Sequence, residues 1–280
     1  MPANALGILF ALTAAAVWGS GDFSGGLATR RHSPFQVLAL SSLTGIVLLV
    51  GCALLWRETL PGAMSVLWSM LAGGAGAVGI AALYRALSMG QAATVAPITA
   101  VISAALPVFF GAVTEGLPAP QQMVGIVLAF GGIWLVSQPE QAEHAISQRG
   151  LFLAVLAGIG FGCFFILIAQ VEDGKVFTPL VIARLVSLAA AALMVRLRGL
   201  SFVGPAANPV AIVAGVLDAG GNIFFLLASQ FTRLDIAAVL ASLYPASTVI
   251  LSALLLHERI SRSQWIGVVI CLGAIVLISL

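Results

Sequence analysis

The 280-residue chain is 61% hydrophobic and only 8% charged, whereas a soluble domain is usually about 45–50% apolar and about 25% charged. That excludes an ordinary water-solvated globule, and a net charge of +2 offers no basic surface for nucleic acid. At roughly 20 apolar residues per bilayer crossing plus a short connection, the length accommodates about ten spans. The expected fold is an all-α integral membrane protein.

In chain order, spans are expected at 5–28, 34–56, 65–88, 91–113, 120–137, 150–171, 177–197, 209–230, 234–256 and 263–280. The first apolar run has no basic flank ahead of it and continues past Gly21 without a cleavage site, so it is read as a transmembrane helix and not a removable signal peptide. Short polar breaks separate the spans, among them Arg30-Arg31-His32, Arg57-Glu58, Glu115-Gly116, Glu172–Lys175 and His257–Arg259. The one longer polar stretch, Gln138–Arg149, lies at the midpoint. The expected organisation is a five-helix repeat at 1–137, a linker at 138–149 and a second five-helix repeat at 150–280.

The repeat rests on several matches in order. Gly7-Ile-Leu-Phe-Ala-Leu opens the first span and Gly150-Leu-Phe-Leu-Ala-Val the sixth, an offset of 143 residues. The same offset carries Trp18-Gly19 onto Phe161-Gly162 and Glu115 onto Glu258. With one further residue of gap, the run Gly125–Ser137 matches Gly267–Ser279. An odd number of spans per half forces the second half to enter the membrane from the other side, so the repeats are inverted. Inverted repeats typify secondary transporters, with the binding site near the midplane.

These residues resemble the drug/metabolite transporter superfamily, in its ten-helix EamA-type branch. Trp18-Gly19, Ala86-Leu87, Arg184, Pro245 and Glu258-Arg259, with the two terminal helices of the halves, carry the resemblance. It implies a central cavity walled by spans 1–4 and 6–9, with spans 5 and 10 at the periphery, in a bacterial inner membrane. The first half departs from the pattern: Ser41 stands where Arg184 would map and Ile102 where Pro245 would map, while Pro97 and Pro107 bend the fourth span. The implied cargo is a small organic metabolite, an amino acid, amine or related compound, moved by alternating access, with proton coupling as an open question and a channel as the alternative.

A charge within the bilayer costs about 2.5–3.5 kcal/mol on insertion scales. Asp22, Asp218 and Arg184 are therefore the leading site candidates. Either the acids face a polar cavity and bind a cation or proton, or they pair with Arg184 or Arg85 as structural ion pairs. Asn222 follows Asp218 by one helical turn. Among the aromatics, Trp18, Tyr84, Phe161 and Tyr244 are expected to line the cavity, where ring faces can hold an ammonium group.

Other signals weigh against catalysis and cofactors. Gly19-Ser20-Gly21-Asp22 matches the Gly-x-Gly-Asp motif of intramembrane aspartyl proteases. Those enzymes carry their other aspartate earlier in the chain, and many have a Pro-Ala-Leu that is missing here. No glycine run is followed by Gly-Lys-Ser/Thr, so a phosphate loop is not expected. Cys52, Cys163 and Cys271 fall in apolar runs and His32, His144 and His257 lie in or beside connections, so neither disulfide nor metal site is expected. Lys and Arg counts place both termini outside, whereas the resemblance implies cytoplasmic termini; the two expectations conflict.

Overall fold

The computed structural model describes residues 3–87, 92–138, 147–256 and 260–280. The described chain is helical: α1 (Ala3–Thr29), α2 (Pro34–Leu55), α3 (Ala63–Leu87), α4 (Ala92–Thr114), α5 (Pro120–Ser137), α6 (Gln148–Ile168), α7 (Phe177–Leu197), α8 (Pro209–Phe231), α9 (Leu234–Ala241), α10 (Tyr244–Leu256) and α11 (Arg262–Ser279). Ten segments are long and apolar enough to cross a membrane, with α9 and α10 together making one of them. Polar linker residues 139–146 and the His257–Arg259 break lie outside the described residues.

The ends are set by local chemistry. Ser33 and Gln36 form a reciprocal capping box ahead of Pro34 at the start of α2, and Ser261 with Gln264 does the same for α11. Ser147 caps α6 and Asn208 caps α8. At the end of α2, Glu58 N–H bonds the Ala53 carbonyl and Arg57 N–H bonds Leu54. At the end of α7, Leu200 bonds Val195 and Gly199 bonds Arg196. Both are Schellman closures, which need a left-handed residue. Gly199 supplies φ +64°, but α2 uses Arg57 at φ +52°.

Packing runs between the halves. α1 lies along α8, α3 along α6, α2 along α7 and α8, α4 along α6 and α9, and α5 along α11. Glycines let these backbones close up. A Cβ at Gly160 of α6 would sit 2.6 Å from Gly79 Cα of α3, and one at Gly7 would strike Thr232. α11 packs mainly on α5 and α10, the peripheral position expected for the last span.

The ninth span is not the single helix expected over 234–256. It breaks at Ser242-Leu243: Ser242 N–H closes the last turn of α9 on the Ala238 carbonyl, Leu243 N–H bonds Leu240, and Ala246 N–H bonds back to Leu243. Pro245 has no N–H to continue the ladder and its ring crowds the preceding turn. Non-helical backbone at membrane depth persists only when buried in protein or lining a cavity, and Ser242 and Leu243 are both buried.

Candidate functional site

Three helices bring the intramembrane charges together. Arg184 lies within α7 and Asp218 near the middle of α8, and Arg184 Nη2 donates to Asp218 Oδ2. The Arg184 side chain is 9% exposed and that of Asp218 46%. The arginine is thus an enclosed support, and the carboxylate keeps an open side. α2 approaches closely here because it offers glycine: a Cβ at Gly45 would meet the Gly215 carbonyl, Ala219 and Arg184 Nε.

Asp22 comes from α1, which crosses α8 at this level; a Cβ at Gly21 would lie 3.3 Å from Asp218 N. Asp22 is exposed and lies within electrostatic range of Asp218 and of the Tyr244 phenol. An exposed acid beside Asp218 and Tyr244 marks the candidate cleft between α1, α8 and α10. No hydrogen bond or ion pair holds Asp22 among the described residues. Farther along α1, Gly25 and Gly26 meet no atom of another element within 4 Å of a Cβ, so open space continues beside the end of that helix.

Tyr244 is half-buried at the head of α10. Its carbonyl and that of Gly19 both accept from the Thr248 hydroxyl, at 3.2 and 3.1 Å. Gly19 is required at this contact, because a Cβ there would lie 2.6 Å from the Tyr244 carbonyl oxygen. The helix break is thereby pinned against α1 one turn from Asp22.

The remaining candidates are less directly placed. Asn222 is buried, and its Nδ2 donates to the Asp218 carbonyl at 2.6 Å. Trp18 is 8% exposed and packs on Phe165 and Phe225 at ring distances of 5.5 and 5.7 Å, so it joins α1, α6 and α8 as core. Phe161 is half-buried on α6 with its ring against Gly79. Tyr84 lies outside the residues whose side chains are described. An apolar hollow lined by Met123, Val124, Val127 and Leu128 opens on α5, away from these charges.

Polar residues at the ends of spans and in connections, which sequence reading did not single out as site candidates, tie the halves together. Glu58 caps α7, accepting from the N–H groups of Val176, Phe177 and Thr178 and from the Thr178 hydroxyl. Burial alone would raise its pKa; the Thr178 hydroxyl and the three N–H donors outweigh that and hold it below the usual carboxylate value. Glu172 accepts from Gly62 N–H at 2.9 Å just ahead of α3. Asp235, 0% exposed in the first turn of α9, pairs with Arg233 at 2.7 Å. Arg233 also donates to the Glu115 and Gly116 carbonyls after α4. Hydrogen bonding to Asp235 raises the Arg233 pKa despite partial burial. The signal for that unit was the Arg-Leu-Asp spacing at the opening of an apolar span. Among the described residues, no three His, Cys, Asp or Glu side chains gather as metal ligands.

Comparison with known proteins agrees with this architecture. A family model described as the EamA-like transporter family matches residues 5–138 and again 148–280. An uncharacterized protein of Haemophilus influenzae is 27% identical over 165 residues, 55% of each chain. An uncharacterized solute carrier family 35 member of Schizosaccharomyces pombe is 40% identical over 67 residues, 24% of this chain and 13% of that one. The chain thus spans about half the length of the first relative and a small part of the second. Among the solved structures that match, a crystal structure of a protein has a TM-score of 0.75 at 19% identity, over 97% of this chain and 95% of the other; at that identity the likeness speaks for the fold. With two matches that together run through nearly all 280 residues, this multi-pass membrane protein belongs to the EamA-like transporter family.

Proposed function

We propose that the protein is a secondary transporter for a small organic cation or zwitterion, an amino acid, amine or related compound, bound in the cleft between α1, α7, α8 and α10. The observation that carries this reading is the charge balance. Arg184 already has Asp218, and Asp22 stands exposed beside them with no described partner. A deprotonated Asp22 in a low-dielectric cleft favours an ammonium group or a proton. Competition between the two for one carboxylate would couple cargo to the proton gradient. Asp218, half open and held by Arg184, would orient the cargo, and Tyr244 would bound the cleft at the helix break.

Alternating access would follow from the paired halves, 1–137 and 150–280, joined by the 138–149 linker. The offset of 143 residues carries the Gly21–Asp218 approach of α1 and α8 onto residues 164 and 75, and Phe164 does pack beside Gly76 where α6 meets α3. A two-fold relation between the halves would account for both pairings, which together with the α2–α7 packing support an inverted repeat. An aspartyl enzyme is disfavoured, because a catalytic dyad shares a proton between touching carboxylates, whereas Asp218 is committed to Arg184. A thermal-shift screen of the purified protein against amino acids, amines and quaternary ammonium compounds tests the reading, since a ligand of the folded state raises its stability by RT ln(1 + [L]/Kd). A cationic or zwitterionic hit lost in Asp22→Asn is expected; hits confined to anions or neutral sugars would overturn it.

A further inference from the structure

The connection between α1 and α2 is tied to the start of α8 through one buried amide. Asn208 is 1% exposed. Its Oδ1 accepts Ala211 N–H at 3.3 Å, and its Nδ2 donates to the Ala28 carbonyl at 3.0 Å. A backbone N–H only donates and a carbonyl only accepts, so these two bonds fix which way the amide faces. The second Nδ2 hydrogen is left for His32 Nδ1, 3.0 Å away. Nδ1 accepts only when it carries no proton. His32 is therefore held as the neutral tautomer with its hydrogen on Nε2.

We propose that His32 and Asn208 form a pH-sensitive latch that holds the end of α1 on the start of α8. Histidine is the side chain that ordinarily changes charge between about pH 5 and 8. Once protonated, Nδ1 becomes a donor facing a donor, and the buried Asn208 hydrogen loses its acceptor. Among the described residues the surroundings do not compensate. The same connection carries Arg30 and Arg31, and the end of α7 carries Arg196 and Arg198, the last set over the Phe35 ring at 5.5 Å. The carboxylates on these packed elements are Asp22 and Asp218, deep in the bundle. Glu140, Glu143, His144, His257, Glu258 and Arg259, in the two connections expected on this face, lie outside the described residues.

Opening here need not disturb the main core. Ala28, Val37, Leu40 and Ala211 form a small apolar cluster of their own beneath the latch, with Val203 and Val210 against it. The two helices it joins carry Asp22 and Asp218. Acid on this face therefore frees the near ends of two cleft helices by a route separate from titration of the acids themselves.

Hydrogen exchange of the purified protein across pH, corrected for intrinsic exchange, tests the latch directly. Residues 28–36 and 207–212 of the wild type should lose protection several-fold between about pH 7.5 and about pH 5.5. His32→Asn places an amide oxygen near the Nδ1 position and does not titrate, so it should stay protected throughout, while His32→Ala should be unprotected at both ends. His144 and His257 remain in both variants, so the difference isolates His32. Wild type and His32→Asn losing protection in parallel would overturn the proposal. If that variant does not fold, the wild-type series alone decides: protection that does not change with pH would overturn it.

Discussion

Arg184 and Asp218 form an ion pair across α7 and α8, within the membrane-spanning bundle, with the arginine enclosed and the carboxylate half open. The asymmetry sets the cost of breaking it. Asp218→Asn strands a buried cation, which costs about 3–5 kcal/mol when a pair is fully buried and less here because Asp218 is half exposed. Arg184→Met leaves an acid that can still reach water, and its cost should be smaller. Thermal unfolding in detergent should therefore rank Asp218→Asn below Arg184→Met.

Close helix approach gives a sharper contrast. A Cβ at Gly221 would run into the Trp18 ring, whereas one at Gly25 meets open space. Gly221→Ala should destabilise by about 1–3 kcal/mol through overpacking, and Gly25→Ala should be neutral or slightly stabilising. Equal melting temperatures for the two variants would contradict the packing described.

Arg57 holds a left-handed conformation where its counterpart at the end of α7 is Gly199. A side chain there costs on the order of 1 kcal/mol. Arg57→Gly should raise the melting temperature, an uncommon direction for a substitution chosen from structure alone. A drop would mean that the arginine makes contacts worth more than its strain.

The Glu58 cap gives stability a sign with pH. Its carboxyl titrates below the ordinary glutamate value, so its contribution is present above the unfolded-state pKa of about 4.3. It fades as pH falls through the lower folded value. Glu58→Gln should remove that acid dependence and cost about 1 kcal/mol at neutral pH, the usual size of a lost helix cap. Melting curves at several acid pH values check both.

The spans were legible because lipid imposes one solution on an apolar chain: internally bonded helices of a set length. Asp22, Asp218 and Arg184 were legible for the same reason, since a charge at that depth is costly. Residues whose chemistry depends on a distant partner were not. Glu58 and Glu172 read as polar loop residues because the helix starts they serve lie more than 100 residues away in sequence. Trp18 matched the repeat, but whether it faced cleft or core depended on Phe165 and Phe225, placed there by two other helices. The break in the ninth span did have a local signal in Pro245, which a continuous run of apolar residues hid.

The most direct test of the transport reading is uptake by the protein reconstituted in liposomes, using whichever cationic or zwitterionic compound stabilises it, with and without a proton gradient. Saturable uptake should respond to the gradient in the wild type, and Asp22→Asn should abolish that response while remaining folded by its melting curve. Unchanged gradient-driven uptake in Asp22→Asn would contradict the role given to its carboxylate.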